Sequence, residues 1–240
     1  MKIAIVGYGR MGRAIEKAAL AKGHEIVVVI DSENDWQTYS GNLAKADVAV
    51  EFTTPETAAK NISRCLGSKM PVVTGTTAWE DRLPEIKKQC LDENGALFIA
   101  SNFSLGVNIF FRLNKWLATV MDKFNQYDPS IDETHHTGKL DKPSGTAKQL
   151  AEDLINELRR KKKWVSGESV DKDLVPVISQ RLEDVPGTHV VRYESAEDIL
   201  EIKHTAHSRE GFARGAVMAA EWLQGKKGVF SMDDLLSEMI

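Results

Sequence analysis

The chain has 240 residues, of which 42% are hydrophobic, and a formal net charge of −4 at pH 7. This is the composition of an ordinary globular protein, and it excludes collagen, disulfide-stabilised miniproteins and a wholly disordered chain. At about 150 residues per domain, the length predicts one to two domains. The slight acidity gives no general basic field, so we expect neither nucleic acid nor a membrane surface as a partner.

The cysteines and the amino-terminal segment indicate the compartment. Cys65 and Cys90 lie in helix-like segments without a CxxC pair, which predicts buried thiols in a reducing compartment. The first apolar run breaks at Gly7, well short of the roughly 20 residues that a membrane span needs. We therefore expect a cytoplasmic protein. We interpret the basic run from Arg159 to Lys163 as the solvated end of a helix.

The first hundred residues alternate short apolar runs with helical patterns, which is typical of a parallel sheet covered on both faces. Helices are predicted to begin near Arg10, Pro55 and Glu80. The predicted strands are Lys2 to Val6, Glu25 to Ile30, Val48 to Phe52, Pro71 to Thr74 and Leu97 to Ala100. This βαβ series predicts a Rossmann-like α/β domain.

The pattern changes after Asn102. Helices are predicted at residues 107–123, from 144 to about 160, at 212–223 and at 232–239, and strands at 128–133, 174–181, 188–193 and 199–205. Successive strands without long helices between them predict an α+β domain with a mixed or antiparallel sheet. We expect residues 1–103 and 211–240 to form a dinucleotide-binding domain, and residues 104–210 to form a domain for substrate binding and oligomerisation.

A glycine loop follows the first strand directly. Residues 7–12 read GYGRMG, a GxGxxG motif between a predicted strand and a predicted helix. Gly7 permits the turn, Gly9 lets a pyrophosphate approach the backbone, and Gly12 lets helix and strand pack closely. Asp31 ends the second strand and can accept hydrogen bonds from an adenosine ribose. Together these features predict dinucleotide binding rather than an empty glycine turn.

The charge at Asp31 also predicts which dinucleotide is preferred. Its carboxylate repels a 2′-phosphate, and the neighbouring residues 32–34 provide no guanidinium to hold one. We therefore expect NADH to be favoured over NADPH, although Arg10 or Arg13 can offset part of the repulsion. Small and hydroxylated residues at two further strand ends are expected to contact the cofactor or to serve as ordinary turn residues: Gly75, Thr76, Thr77, Ala100, Ser101, Asn102 and Phe103.

The segment 133–147, ETHHTGKLDKPSGTA, gathers proton donors, cations and a potential anion site. Ser144 can cap the following helix, which leaves the next three N–H groups free to receive a carboxylate. Lys139 and Lys142 precede that cap, so a small anionic substrate fits the segment. If the strand reaches His135, it shares a face with Glu133, and His136 points the other way.

The two histidines can therefore have different roles, one donating a proton and the other holding a carboxylate. The alternative is a pair of solvated loop histidines beside a capped helix. No metal is expected, because neither cysteines nor spaced histidines supply three or four ligands. Residues 204–209, HTAHSR, offer either a second cationic patch or structural histidines.

Taken in order, seven segments closely resemble the dihydrodipicolinate reductase family over nearly the whole chain. They are GRMGR (9–13), FTTPE (52–56), GTT (75–77), SNFSLGVN (101–108), ETHHTGKLDKPSGTA (133–147), PGTH (186–189) and HTAHSREGFARGA (204–216). The resemblance implies that NAD(P)H reduces a cyclic dicarboxylate, 4-hydroxy-tetrahydrodipicolinate, to tetrahydrodipicolinate in lysine and diaminopimelate biosynthesis. It also implies a homotetramer built through the substrate-domain sheet.

By the same resemblance, His135 is the proton donor and acceptor, Lys139 is a proton donor, and His136, Gly145 and Thr146 bind the substrate carboxylate. The implied cofactor contacts are Gly7, Gly9, Arg10, Met11, Gly12, Asp31, Gly75, Thr76, Thr77, Ala100, Ser101, Asn102 and Phe103.

The chain departs from the family pattern at the cofactor site. Its glycine loop is one residue shorter than usual, and Ser32 and Thr54 stand where many members have arginine, which strengthens the expected NADH preference. Two other interpretations remain open: another two-domain dehydrogenase of an amino-acid-like acid, and a non-catalytic NADH sensor.

Overall fold

The chain folds into two units, each built around its own β-sheet. The computed structural model describes residues 1–208 and 210–239. The first unit contains residues 1–105 and the described part of the chain from Glu210 onward, and the second begins at Gly106. In chain order the elements are β1 (Lys2–Val6), α1 (Arg10–Ala21), β2 (Glu25–Ile30), α2 (Glu33–Tyr39), β3 (Val48–Glu51), α3 (Pro55–Gly67), β4 (Val72–Thr74), α4 (Leu83–Asp92), β5 (Ala96–Ile99), α5 (Leu105–Met121), β6 (Asp128–His135), α6 (Gly145–Glu157), β7 (Lys163–Ser166), β8 (Leu174–Arg181), β9 (Gly187–Glu194), β10 (Ile199–Ala206), α7 (Glu210–Leu223), β11 (Gly228–Phe230) and α8 (Met232–Met239).

The first unit has a six-stranded parallel sheet in the order β11-β5-β4-β3-β1-β2. Its strands are short apolar runs, because helices cover both faces. Residues of α1, α7 and α8 pack on one face, and residues of α2, α3 and α4 pack on the other. The predicted Rossmann-like fold is confirmed. The strand order reverses at β1, and in such sheets ligands bind outside the carboxyl ends of the strands at that point.

The second unit has a five-stranded mixed sheet in the order β10-β9-β6-β8-β7. The pairs β10–β9 and β6–β9 are antiparallel, whereas β6–β8 and β7–β8 are parallel. Helices α5 and α6 pack against one face and bury a core that includes Ile131, Leu150 and Val191. The predicted mixed sheet in an α+β unit is confirmed.

The predictions missed α2, β7 and β11, which are too short to give a clear period in the sequence. Helix α2 is stabilised by a capping box between Ser32 and Asp35. The fourth helix begins at Leu83, after a single 3₁₀ turn over Glu80–Arg82. Strand β6 is longer than predicted and reaches His135, which places this residue within the sheet.

The interpretation of the basic run as a solvated helix end is confirmed for Arg159 and Lys162, which are exposed, but was wrong for Lys161. Helix α6 ends at Glu157, and Lys161 beyond it is buried, with only 5% of its surface exposed. Its Nζ donates to the carbonyl oxygens of Lys172 (2.7 Å) and Leu174 (3.1 Å) and to a carboxylate oxygen of Asp128 (3.3 Å). A paired lysine can be buried in this way because each N–H has an acceptor.

Cys65 and Cys90 are both buried and unpaired, as predicted. Burial raises the pKa of the Cys65 thiol to about 12, so this sulfur is an inert core group. Within residues 1–208 and 210–239, every helix is too short or too polar to cross a bilayer.

Candidate active site

The glycine loop lies where β1 and β3 end side by side. Gly7 has φ +93°, and a Cβ there would lie 2.1 Å from the carbonyl oxygen of Phe52. A Cβ on Gly12 would lie 2.1 Å from the carbonyl oxygen of Gly7, so both positions require glycine for packing. Gly9 differs, because a Cβ on it meets nothing within 4 Å. The open space at Gly9 faces the start of α1, which has no side-chain cap.

Asp31 is brought to this loop by the end of β2. One carboxylate oxygen accepts a hydrogen bond of 2.6 Å from the backbone N–H of Tyr8, and the side chain is exposed. The tertiary structure also places two cations nearby that the sequence analysis missed. Lys60 and Arg64 of α3 both donate to the carboxylate of Glu33, which lowers the pKa of Glu33 to about 2. Both cations are therefore already paired.

A buried carboxylate that the sequence analysis did not single out organises two of the predicted cofactor loops. Glu51 at the end of β3 is fully buried and accepts hydrogen bonds from the hydroxyls of Thr53, Thr74 (2.5 Å) and Thr76 (3.0 Å). Burial raises its pKa, and the hydroxyl contacts offset part of that rise. Glu51 thus ties the strand ends 51–54 and 74–77 together.

The predicted contacts at Gly75 and Phe103 meet around one aromatic ring. A Cβ on Gly75 would lie 2.2 Å from the ring of Phe52, and the rings of Phe52 and Phe103 are 5.6 Å apart between centroids. Phe103 is itself buried, and a Cβ on Gly215 of α7 would lie 1.7 Å from its carbonyl oxygen. Thr77 and Ser101 are exposed at the same carboxyl edge of the sheet.

In the second unit, a row of polar side chains crosses the sheet at the end of an apolar face. Glu133 of β6 pairs with Ser179 of β8 and with His189 of β9, and His189 pairs with His204 of β10. Paired residues on neighbouring strands lie on the same face. Two positions earlier on β6 the equivalent row is wholly apolar: Val177, Ile131, Val191 and Ile202. On this buried face, the apolar core therefore gives way to a polar site over two residues of β6, from Ile131 to Glu133.

Glu133 is the centre of this row. It is completely buried, and one of its oxygens, Oε1, accepts a hydrogen bond of 3.1 Å from the backbone N–H of Ser144 and is 3.3 Å from the Arg181 guanidinium. The other oxygen, Oε2, lies 3.1 Å from Nδ1 of His135. Burial alone raises the pKa of Glu133, but the contacts with His135 and Ser144 outweigh burial and hold it well below its usual range. Glu133 is therefore ionised.

His189 is a neutral neighbour of this carboxylate. Burial, together with the nearby His135, lowers the pKa of His189 to about 3. Its Nε2 is hydrogen-bonded to Oγ of Ser144 at 3.1 Å, and its ring meets that of His135 edge to face, with centroids 5.0 Å apart. In the sequence, His189 stood out only as the last residue of the family-like segment PGTH (186–189). The register of β6 with β9 then shows that His189 lies beside Glu133.

The potential ligand atoms of Glu133, His135 and His189 lie within 4.8 Å of one another, a convergence that residue spacing did not reveal. The guanidinium of Arg181 already supplies positive charge at this carboxylate. That neighbouring charge opposes a metal ion by electrostatic repulsion. The expectation of a metal-free site stays a prediction.

Arg181 also holds the loop that carries Lys139. Its guanidinium donates to the backbone carbonyl oxygens of Lys139 (3.2 Å) and Asp141 (2.6 Å). The Nζ of Lys139 lies 2.7 Å from a carboxylate oxygen of Asp141, and the side chain of Lys139 is 25% exposed. The loop is thus tied through one guanidinium to the carboxylate that contacts His135.

Helix α6 begins at the end of this loop. Ser144 is its N-cap, and Oγ of Ser144 accepts a hydrogen bond of 3.2 Å from the N–H of Ala147, as predicted. Gly145 is exposed, and a Cβ on it meets nothing within 4 Å. The first N–H groups of a helix lack partners within the helix and attract anions. Gly145 and Thr146 carry such N–H groups next to the Glu133 cluster, and the carboxylate of Asp141 takes a contact from the N–H of Gly145.

The remaining histidines are placed differently. His136 is half-buried in the loop after β6, beside Gly138. His204 stacks on Phe110 with centroids 6.2 Å apart, and burial lowers its pKa. This environment favours the structural interpretation of His204 over a cationic patch. Arg209, which belonged to the same predicted patch, lies outside the described residues.

Comparisons with known proteins show which family the chain belongs to. The family models "Dihydrodipicolinate reductase, N-terminus" and "Dihydrodipicolinate reductase, C-terminus" match residues 1–103 and 106–236. A 4-hydroxy-tetrahydrodipicolinate reductase of Christiangramia forsetii is 46% identical, with 100% of this chain and 99% of the relative covered. One from Archaeoglobus fulgidus is 36% identical, with coverages of 98% and 100%.

A solved structure of a dipicolinate-bound dihydrodipicolinate reductase from Paenisporosarcina sp. TG-14 has the same fold. It matches with a TM-score of 0.77 at 21% identity, with 96% of this chain and 97% of that chain covered.

Replacement of Gly9 by alanine separates cofactor binding from folding. Because a Cβ at this position meets nothing within 4 Å, we expect Gly9→Ala to leave the thermal midpoint close to that of the parent. If a pyrophosphate approaches the backbone here, the added methyl group weakens NADH binding by about tenfold or more. Fluorescence titration measures the Kd. Gly41→Ala, also in open space, is the matched control and should leave both quantities unchanged. Parent-like NADH affinity in Gly9→Ala would contradict the assignment.

The buried His189 predicts acid sensitivity of the fold. Its pKa is about 3 in the folded chain and about 6.5 when unfolded, so acidification below pH 6.5 protonates the unfolded state first and lowers stability. We expect His189→Gln to reduce the pH dependence of the unfolding free energy between pH 6.5 and 4.5 by up to about 1.4 kcal/mol per pH unit. Urea unfolding at several pH values measures this slope. His207→Gln, at an exposed histidine, should keep the parent slope, and an equal slope in His189→Gln would refute the prediction.

Proposed function

We propose how the residues described above act in this chain, which belongs to the dihydrodipicolinate reductase family of lysine and diaminopimelate biosynthesis. The family is one of NAD(P)-dependent oxidoreductases. In our proposal the first unit binds the dinucleotide. The second unit binds 4-hydroxy-tetrahydrodipicolinate and supplies the proton as its 4-hydroxyl group leaves as water and hydride reduction gives tetrahydrodipicolinate. The observation that carries the proposal is the shared anchoring of His135, the Lys139 loop and the start of α6 on one buried carboxylate, Glu133.

The substrate is a small dicarboxylate, and the start of α6 suits one of its carboxylates. We assign the N–H groups of Gly145 and Thr146, together with His136, to this carboxylate. The exposed Gly145 leaves space for close approach, and the helix dipole favours negative charge there. The dipicolinate in the Paenisporosarcina structure is a ligand of the same chemical class.

We assign the proton transfers to His135 and Lys139. A bound nicotinamide supplies the hydride, and the electron density that hydride addition creates at the ring must be quenched by a proton. Lys139 is partly exposed and its ammonium is held by Asp141, which orients it as a proton donor. His135 is nearly buried beside an ionised carboxylate, an environment that allows it to give and to accept a proton.

We assign the cofactor to the glycine loop (7–12), Asp31, residues 75–77 and residues 100–103. The exposed Asp31 repels a 2′-phosphate. Two cations of α3, Lys60 and Arg64, are already paired with Glu33. For both reasons the proposed cofactor is NADH in preference to NADPH.

We further propose a homotetramer formed through the sheet of the second unit. The edge strand β10 supports this assignment, because it exposes two large apolar side chains, Ile199 (54%) and Leu200 (42%). Exposed apolar groups on a sheet edge favour contact with another chain.

Alanine at the two proton-transfer positions tests the proposed roles. We expect His135→Ala and Lys139→Ala each to lower kcat by about 10² or more, because general acid–base catalysis contributes a factor of this order. NADH affinity should persist, because neither residue is assigned to the cofactor. The assay supplies substrate freshly formed from aspartate semialdehyde and pyruvate and follows NADH absorbance. Lys148→Ala, an exposed lysine on α6, is the control. Parent-like turnover in either variant would reject its assigned role.

The cofactor assignment predicts a lower KM for NADH than for NADPH in the same assay. Asp31→Ser removes the repulsive carboxylate and its acceptor for the ribose hydroxyls, so the KM for NADH should rise and that for NADPH should fall. A strong preference of the parent for NADPH would show that another basic group controls the pocket.

A further inference from the structure

We propose that Glu133 is a positioning residue for His135: its carboxylate receives the Nδ1 side of the imidazole, so that Nε2 is the atom that exchanges a proton with the substrate. The inference rests on the proposed role of His135. It assigns to a buried side chain the control of the orientation and tautomer of that histidine.

The geometry on β6 makes this pairing unavoidable. Glu133 and His135 are two positions apart on one strand, so both point to the same face. Oε2 of Glu133 and Nδ1 of His135 lie 3.1 Å apart, although the ring N–H is not aligned for a regular hydrogen bond. Catalytic hydrogen bonds are often poorly aligned before the ligand binds.

The opposite side of the imidazole is kept open by a glycine. A Cβ on Gly187 of β9 would lie only 3.0 Å from Nε2 of His135 and 3.2 Å from its Cδ2. Any larger residue at Gly187 would crowd the ring at the nitrogen that faces away from Glu133. Glu133 and Gly187 together therefore distinguish the two ring nitrogens, one held by charge and the other left free.

The two oxygens of Glu133 have separate tasks. Arg181 and the backbone N–H of Ser144 occupy Oε1 and fix the carboxylate to β8 and to the start of α6. Oε2 is then left for His135. The second histidine near Oε2, His189, is 3.8 Å away, and its lowered pKa keeps it neutral, so it does not compete for the charge.

Other charged groups bear on the same imidazole. Arg181 on β8 and Lys139 in the loop are cations, Asp141 offsets Lys139, and His204 on β10 has a pKa lowered by burial. Of the described carboxylates in this cluster, Glu133 is the one in contact with the His135 ring. In the neutral ring, a carboxylate at this distance favours the tautomer with the proton on Nδ1.

This pairing also links the two parts of the substrate site. Ser144, which donates its backbone N–H to Glu133, is the cap of α6 and so sets the position of the N–H groups of Gly145 and Thr146. The imidazole that exchanges the proton and the N–H groups that hold the substrate carboxylate are thus both positioned by one buried anion, Glu133. Productive geometry at such sites requires positions held within a fraction of an ångström.

The test is Glu133→Gln, which keeps the shape of the side chain and its acceptor for Arg181 and Ser144 but removes the charge. The uncharged amide no longer favours the ring with its proton on Nδ1, so Nε2 is less often the nitrogen that exchanges a proton with the substrate. We expect kcat to fall by about tenfold or more while the KM for the substrate stays within about threefold, because Arg181 and Ser144 keep their acceptor. Asp132→Asn, the neighbouring strand carboxylate on the other face, is the matched control and should keep the parent kcat and KM.

The outcomes separate this inference from the function on which it rests. If the parent does not reduce the substrate, or if His135→Ala retains parent turnover, the proposed function fails. If the parent is active, His135→Ala is inactive and Glu133→Gln keeps the parent kcat or changes only KM, then Glu133 has only a structural role and the inference is overturned. Glu133→Asp covers the case of a misfolded Gln variant: its shorter side chain moves the charge away from Nδ1, so a lowered kcat with a parent-like KM supports the inference and a parent-like kcat refutes it.

Discussion

The buried ion pair between Glu133 and Arg181 is the interaction on which the second unit depends. Removing a carboxylate completely from water is costly unless it is paired with a charge or hydrogen-bonded, and here Arg181 and the N–H of Ser144 provide both. The same guanidinium holds the carbonyl oxygens of the loop before α6. One buried charge therefore fixes a strand, a loop and a helix start relative to one another.

The first unit uses a related device. Glu51 is also fully buried at the carboxyl end of a strand, but it is held by the hydroxyls of Thr53, Thr74 and Thr76 and has no cationic partner among the described contacts. The two pKa changes run in opposite directions. Burial outweighs the hydroxyl contacts of Glu51 and raises its pKa, whereas the contacts of Glu133 with His135 and Ser144 outweigh burial and lower its pKa. In both units a buried acid organises the loops assigned to ligand binding.

Much of the fold was accessible from the sequence, and the failures have physical reasons. The parallel strands of the first unit read as apolar runs because both faces are covered, and the capped start of α6 was evident from Ser144. Strand β7 and the buried Lys161 were not, because a run of basic residues carries no sign that carbonyl oxygens from a distant segment will accept its N–H groups. A local sequence pattern predicts exposure from how each residue type behaves on average, whereas the burial of one lysine depends on partners that are remote in the chain.

By itself, the sequence determined which chemical groups are present and which lie on one strand or one helix start: the glycine loop, Asp31 at the end of its strand, and Glu133 in alternation with His135. These follow from periods of 2.0 and 3.6 residues, which are local properties of the backbone. Only the tertiary structure decided that His189 and Arg181 surround Glu133, because that depends on the register of β6 with β8 and β9. Strand register is set by packing across the whole sheet, and a shift of one residue would have turned both side chains to the other face.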